Sequence, residues 1–293
     1  MRILVLGGTG MLGHKAYQVF GREWETFVTM RAYNGRLKDT RFFDPDHVIE
    51  GVDAFAFDTV DRAITQTRPQ IVLNAIGIIK QSDEAHDPRS AIYVNTLFPH
   101  LLAEACTKHR CKLIHISTDC VFSGTRGHDH EEDIPDALDL YGRSKFLGEV
   151  GTGGHLTLRT SIIGHELFSR LGLVEWFLAQ RGKSVNGFTN AVFSGLTTLA
   201  LSREIARLIR TSPGLSGLFQ VSAGPIDKYH LLSIIQSIYG ADVCITPFSG
   251  FICDRSLNSD RYRNAVGFVP QSWEAMVTEM HEEYHLYEQW RQQ

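Results

Sequence analysis

Short apolar runs alternate with longer amphipathic stretches through the first two thirds of the chain, the pattern of strand–helix–strand units feeding a parallel sheet. The runs Arg2 to Leu6, Thr26 to Met30, Ala54 to Phe57, Gln70 to Ala75, Lys112 to Ser117 and Leu156 to Thr160 predict strands. Their nearly continuous hydrophobic character is that of strands covered on both faces. Between them, helical spacing of apolar residues predicts helices over Gly10 to Phe20, Val60 to Thr67, Ser90 to His109 and Tyr141 to Val150. The fold class is therefore doubly wound α/β. After Gly164 the alternation fades into a helix near Leu173 to Arg181, a loop through Gly182 to Gly195 and a helix near Thr197 to Arg210. A strand at Gly217 to Val221, a helix at Lys228 to Ile238, a strand at Val243 to Pro247 and a C-terminal helix from Ser272 onward complete the chain. This part reads as a small α/β cap whose chain returns at least once to the main sheet. The expected division is a nucleotide-binding unit over residues 1–160, rejoined by 190–224, and a substrate-binding unit over 161–189 and 225–293. A site is expected in the cleft between them.

The 293 residues are 43% hydrophobic and 21% charged, the balance of a soluble globular protein. The net charge of −4 offers no basic footprint for nucleic acid. Met1-Arg2-Ile3 enters a core strand directly, with no signal-peptide pattern and no membrane-spanning run, so a cytoplasmic location with no membrane partner is expected. Five scattered cysteines without a Cys-x-x-Cys pair predict reduced thiols.

Gly7-Gly8-Thr9-Gly10-Met11-Leu12-Gly13 joins the first strand to the first helix. Glycine there keeps side chains away from an approaching phosphate and leaves helix N-terminal N–H groups aimed at it. Gly7, Thr9, Gly10, Met11, Leu12 and Gly13 are thus expected to hold a dinucleotide pyrophosphate over a Rossmann-type sheet. Arg31 follows the second strand, where an arginine suits a ribose 2′-phosphate, favouring NADPH over NADH; the plainer reading is a surface charge. Asp58, after the third predicted strand, is placed to accept from the adenine amino group or to cap the following helix. Asn74, Ala75, Ile76 and Gly77 end the fourth strand with mostly small residues that allow close cofactor approach, or form a plain strand exit. Ser117, at the end of the fifth strand, is counted with the cofactor contacts.

Thr118 precedes Tyr141 and Lys145, which are four apart and share one helix face. Reduction of a carbonyl needs a hydride and a proton for the developing alkoxide. A tyrosine at its ordinary value near ~10 is a poor match to neutral pH. One turn away, the Lys145 ammonium is expected to stabilise phenolate and to reach the nicotinamide ribose, while the Thr118 hydroxyl fixes the carbonyl. The loop Gly127-His128-Asp129-His130-Glu131-Glu132-Asp133 reads as a solvated acidic loop over the cleft rather than a metal site. Arg159, Arg203, Arg255, Arg261 and Arg263 are candidates for a substrate diphosphate, one or two of them in contact with it and the rest surface charges.

These motifs resemble the extended short-chain dehydrogenase/reductases, and most closely the dTDP-4-dehydrorhamnose reductase family. The resemblance runs nearly end to end. It covers the glycine turn, Arg68-Pro69-Gln70, Asn74-Ala75, Ser117-Thr118-Asp119-Cys120-Val121-Phe122-Ser123-Gly124 and Tyr141-Gly142-Arg143-Ser144-Lys145 with Gly148-Glu149. It continues through Leu158-Arg159-Thr160-Ser161, Leu218-Phe219-Gln220-Val221-Ser222-Ala223-Gly224 and Ser256-Leu257-Asn258-Ser259. It implies Thr118, Tyr141 and Lys145 as catalytic trio, NADPH as cofactor, and reduction of the 4-keto group of a nucleotide-linked 6-deoxyhexose for a surface polysaccharide. Asn95 falls where the family supports that trio, or else it satisfies backbone groups inside its helix. Related 4,6-dehydratases carry Thr-Asp-Glu where this chain has Thr118-Asp119-Cys120, which disfavours elimination. Ile76, Gly77, Ile78, Ile79 and Ile162 depart from the family's usual pocket, and Cys120 replaces its usual tyrosine. Branched aliphatics there suit a C5 methyl, with dTDP-L-rhamnose the leading product. Two alternatives remain, a non-catalytic NADP-binding regulatory subunit and a sugar-nucleotide epimerase. A homodimer is the protein partner the resemblance suggests, since some relatives hold magnesium at an acidic dimer contact.

Overall fold

The computed structural model describes residues 1–40, 42–80 and 87–292. Its strands are β1 (Arg2–Leu6), β2 (Glu25–Met30), β3 (Val48–Glu50), β4 (Ile71–Asn74), β5 (Lys112–Thr118), β6 (Leu156–Thr160) and β7 (Ile162–Ile163). They continue with β8 (Lys183–Phe193), β9 (Leu196–Thr197), β10 (Gly217–Gln220), β11 (Ile226–Asp227) and β12 (Val243–Asp254). The helices are α1 (Met11–Phe20), α2 (Gly35–Asp39), α3 (Phe57–Thr67), α4 (Pro88–Ile92), α5 (Phe98–Lys108) and α6 (Leu140–Leu147). After these come α7 (Leu173–Leu178), α8 (Thr198–Thr211), α9 (Lys228–Tyr239), α10 (Asp260–Val266), α11 (Trp273–Glu282) and α12 (Tyr284–Gln292).

Seven strands form one parallel sheet in the order β10-β6-β5-β4-β1-β2-β3. The chain order reverses between β1 and β4, which opens a crevice beyond the carboxyl ends of those strands. Ile3, Val5, Leu73, Leu156 and Leu158 pack with α1, α8 and α11 on one face of the sheet. Leu4, Leu6, Val72 and Leu113 pack with α3 and α5 on the other. Strands buried on both faces read as continuous apolar runs, which is why the sequence located most of them. The last strand, β10, pairs with β6 and brings the late part of the chain back to the main sheet, as expected.

Three predicted elements differ. The third strand is Val48–Glu50, and Ala54 to Phe57 instead form a turn and the start of α3. Asp53 accepts the Phe55 N–H at 3.0 Å, and the Thr59 hydroxyl binds the Ala56 carbonyl at 2.6 Å, so local polar groups override the apolar alternation. The predicted loop at Gly182 to Gly195 is mostly the long strand β8, which with β11 and β12 makes a second, three-stranded sheet. Its polar composition hid it because much of its length is exposed. The helix predicted from Ser90 to His109 is interrupted by a π-helical turn at Tyr93–Leu97. Among the described residues no helix is long and apolar enough to cross a membrane.

The C-terminal helix closes back on the first one. The buried His14 Nε2 lies 2.8 Å from the Tyr287 hydroxyl, and its Nδ1 lies 2.8 Å from the Gly10 carbonyl. Arg291 pairs at 2.6 Å with the buried Glu175, which also meets His165 at 2.6 Å.

Candidate active site

The glycine turn has the form the sequence predicts. Gly10 caps α1 with no side-chain acceptor, so no side chain occupies the helix N-terminus. A methyl added at Gly13 would lie 2.0 Å from the Gly7 carbonyl oxygen, so only glycine lets α1 pack this closely on the β1 exit. Thr9 and Gly10 are exposed, Met11 is half-buried, and Leu12 faces the core. Arg31 follows β2 directly, is exposed and makes no ion pair among the described residues. Asp58, by contrast, lies in the first turn of α3, where it pairs with Arg62 at 3.0 Å. It neither ends the third strand nor caps the helix, since the cap position is Ala56. The carboxylate beyond β3 is Asp53, overlooked because that strand was placed too late. The Val52 N–H donates to the Met30 carbonyl at 3.2 Å and holds this segment beside the end of β2.

Asn74 is buried, and its Oδ1 accepts the Ile76 N–H at 3.1 Å while Nδ2 faces His115 Nδ1 at 3.0 Å. Burial and the nearby Lys145 charge keep His115 neutral, so its Nδ1 acts as acceptor. Asn95 sits in the π-helical turn and grips the next segment twice, accepting from the Ile78 N–H at 2.9 Å and donating to the Ile78 carbonyl at 3.0 Å. It thus satisfies backbone groups of the β4 exit rather than of its own helix. A methyl on Gly77 would reach within 3.5 Å of the Asn95 Oδ1 and 3.9 Å of the Lys145 Nζ. Glycine leaves that cradle open, and together with the uncapped α1 it fits a dinucleotide running from the β1 exit to α6.

Thr118 ends β5, donates to the Asp119 Oδ1 at 3.1 Å and accepts the Cys120 N–H at 3.1 Å. Thr118 is among the groups acting on the Tyr141 phenol, so the structure places those two side chains near one another. Two features missed in the sequence build this contact. Asp139 caps α6, accepting the Gly142 N–H at 2.8 Å, and is held by Lys80 at 2.8 Å. A methyl on Gly142 would lie 2.1 Å from the Cys120 carbonyl oxygen, so the glycine after Tyr141 lets α6 rest directly on the β5 exit. The signal was present as Asp-x-Tyr-Gly, a cap followed by a close-packing glycine.

Lys145 is buried and donates to the Ile116 carbonyl at 2.7 Å; burial lowers its value to about 8, against the attraction of Glu149. The phenol does not behave as expected. Burial, reinforced by Cys120, Asp119 and Asp139, raises Tyr141 above the ordinary range and outweighs the opposing effect of Thr118. The phenol therefore stays protonated at neutral pH, the form that has a proton to give. Cys120 is an inert thiol, pushed up to about 12 by burial and by Asp119. The Ser117 hydroxyl donates to Glu149 at 2.7 Å.

Of the five candidate arginines, only Arg255 lines this site, donating to the Phe122 carbonyl at 3.0 Å with Nη1 3.6 Å from the Cys120 sulfur. Arg159 is buried in a two-pronged pair with Glu149 at 2.7 and 2.8 Å and is unavailable to a diphosphate. Arg203 pairs with Glu279 and Arg261 with Glu132, while Arg263 donates to the Ser222 carbonyl at 3.3 Å. The acidic loop is not solvated throughout. Asp129 and Glu131 are buried, Asp129 pairing with Arg126 at 2.8 Å and Glu131 accepting the Gln220 N–H at 2.8 Å.

Residues 1–171 match the model of the RmlD substrate binding domain family. The chain belongs to that family. A probable dTDP-4,6-dihydroxy-2-methyloxan-3-one 4-ketoreductase of Streptomyces antibioticus is 28% identical over 73% of this chain and 79% of its own length. The methionine adenosyltransferase 2 subunit beta of Bos taurus is 29% identical, over 50% of this chain and 41% of that protein. Among solved structures, a dTDP-4-dehydrorhamnose reductase of Bacillus anthracis in complex with NADP superposes with a TM-score of 0.78 at 22% identity, covering 96% of this chain and 99% of that one. That likeness establishes the fold.

Proposed function

We propose that this RmlD-family chain is an NADPH-dependent oxidoreductase that reduces the 4-keto group of a nucleotide-linked 6-deoxyhexose. The observation that carries this reading is the Thr118–Tyr141 contact beside the buried Lys145, at the mouth of an open glycine turn. The named 4-ketoreductase relative, aligned over most of both chains, supports the substrate class. Gly7 to Gly13 would hold the pyrophosphate, Arg31 the 2′-phosphate, and Asn74 to Gly77, Asn95, Ser117 and Lys145 the nicotinamide half. Asp53 takes the adenine-facing role first given to Asp58. When bound, the reduced nicotinamide supplies the hydride. Thr118 and Tyr141 hold the ketone oxygen between two hydroxyls, and the phenol proton passes to that oxygen as it becomes an alkoxide. A raised phenol suits this direction because an alkoxide is more basic still. Lys145 opposes the charge left on Tyr141. Residues 161–189 and 225–293 would enclose the sugar nucleotide, with Ile76, Ile79 and Ile162 against the C5 methyl, where a buried hydroxyl would lack a partner.

The test is NADPH oxidation at 340 nm with a panel of 4-keto-6-deoxy sugar nucleotides. Turnover is expected with at least one dTDP-linked donor. Tight NADPH binding without turnover of any donor would instead favour the regulatory-subunit reading, which rests on the similarity to the methionine adenosyltransferase subunit.

A further inference from the structure

The turn that follows α6 brings Glu149 back to the strand end on which Lys145 rests. A methyl on Gly148 would lie 1.9 Å from the Asn95 carbonyl oxygen, so glycine there lets the chain pass directly over the π-helical turn. Glu149 then accepts the Ser117 hydroxyl at 2.7 Å on the same oxygen that takes Arg159 Nε at 2.7 Å, while its other oxygen takes Arg159 Nη2 at 2.8 Å. Ser117 and Arg159 are paired across β5 and β6, so their side chains leave the same face of the sheet. The Phe122 ring backs the guanidinium at 5.3 Å. The carboxylate is thus fixed by two strands at once.

Lys145 stands on the neighbouring residue. Its ammonium donates to the Ile116 carbonyl at 2.7 Å, one residue before the serine that holds Glu149. The two side chains lie four apart in sequence and end at consecutive residues of β5, yet they make no ion pair with each other among the described residues. Glu149 and Arg159 are both buried, and a two-pronged guanidinium is the stronger competitor for a carboxylate. Lys145 therefore uses one of its three N–H donors on backbone and keeps the others. The titratable groups facing it are Glu149, which draws it toward the charged form, and His115 of β5, which stays neutral. Gly77 and Asn95, from the β4 exit and the π-helical turn, present no charge to it.

We propose that Glu149 is a positioning residue for Lys145: clamped by Ser117 and Arg159, its carboxylate holds the ammonium charged on β5, while Arg159 prevents a direct pair that would occupy the lysine's remaining donors. The arrangement leaves a charged lysine whose free N–H groups can reach a ribose hydroxyl. Removing one or the other partner of the Glu149–Arg159 pair then acts on Lys145 in opposite senses. Without Glu149 the buried ammonium loses its counter-charge and gives up its proton more readily; without Arg159 the carboxylate turns to the lysine and the proton is held longer. A purely structural pair has no such opposition of sign. The link to the cofactor rests on the oxidoreductase reading above, whereas the link between Glu149 and Lys145 does not.

The test is an NMR titration, without cofactor, of protein isotope-labelled at the lysine ε-amines, with the Lys145 signal assigned by its loss in Lys145→Met. In wild type it is expected to titrate at about 8. Glu149→Gln should move that midpoint down by about one unit or more, and Arg159→Met should move it up by about as much. Because each single change leaves a buried charge without its partner, the double variant Glu149→Gln/Arg159→Met removes the pair as a unit, and its midpoint should also fall below that of wild type. NADPH dissociation constants, measured by fluorescence titration from about pH 6.5 to 9.5, should begin to rise at the midpoint of each protein. A midpoint unchanged in the double variant, or shifts of the same sign in the two single variants, overturns the proposal. So does NADPH binding whose pH dependence ignores those shifts. A wild type whose Lys145 responds as expected but which binds no NADPH removes the oxidoreductase reading, and the positioning role with it.

Discussion

The Lys145 ammonium donates to the Ile116 carbonyl at 2.7 Å, tying the helix that carries Tyr141 to the strand that carries Thr118. Burial has already brought the lysine down to about 8, so its charge is lost within an accessible pH range. In the proposed function the ammonium below that value would attract the anionic cofactor and donate to its ribose hydroxyls; above it the attraction would fade. The NADPH dissociation constant should be flat from about pH 7 to 7.5 and rise above about pH 8, by no more than tenfold per pH unit. Lys145→Met should bind more weakly at pH 7 and show no such rise, by fluorescence titration. A wild-type profile flat to pH 9.5 would mean that Lys145 does not contact the cofactor.

Tyr141→Phe removes the proposed proton donor while leaving the ring in place. Turnover should fall about a hundredfold or more, with NADPH affinity nearly intact. Equal losses in binding and turnover would make Tyr141 a packing residue.

Arg31 is exposed and unpaired among the described residues, so its replacement costs no folded-state contact. Arg31→Ala should weaken NADPH binding by about one to two decades, a loss of roughly 1.5 to 3 kcal/mol, and leave NADH binding unchanged. A wild-type preference for NADH in the same titration would refute the 2′-phosphate role.

The parallel sheet, the glycine turn and the placing of Tyr141 and Lys145 on one helix were legible in the sequence because each leaves a local signature: buried strands, a glycine spacing, a helical turn between the two residues. What escaped was set by contacts distant in sequence. β8 is polar because only three of its eleven residues are buried, and its pairing with β11 and β12 makes it a strand. Arg159 looked like a phosphate ligand until its pair with Glu149 appeared, ten residues away across the β5 and β6 exits. Asp58 was misassigned because the alternation of Ala54 to Phe57 imitates a strand.

The packing of α6 on the β5 exit has a direct test. Gly142→Ala sets a methyl against the Cys120 carbonyl, which is backbone and cannot yield cheaply. Moving α6 away would separate Tyr141 from Thr118. The variant should lose at least about tenfold in kcat while still binding NADPH, the response to a small misplacement of a reacting group. Unchanged kcat would show that the contact is not needed for alignment.

The link between His14 and Tyr287 makes stability depend on acidity. Burial, helped by the neighbouring Lys15, lowers His14 from 6.5 to about 3. Between those values the unfolded chain binds a proton that the folded chain refuses, so stability rises with pH across this window. The contribution is complete above about pH 6.5 and is lost as pH falls toward 3, amounting to roughly 2 kcal/mol by pH 5. With Nδ1–H donating to the Gly10 carbonyl at 2.8 Å, the neutral ring accepts the Tyr287 hydroxyl at Nε2, and protonation turns that acceptor into a second donor while keeping the Gly10 bond. Thermal unfolding should show Tm falling from pH 7 to pH 5. His14→Asn should be less stable at pH 7 but lose less Tm on acidification, because the titrating group is gone. If that variant retained the full wild-type acid dependence, the other buried histidines, His165 and His115, would account for it and His14 would not.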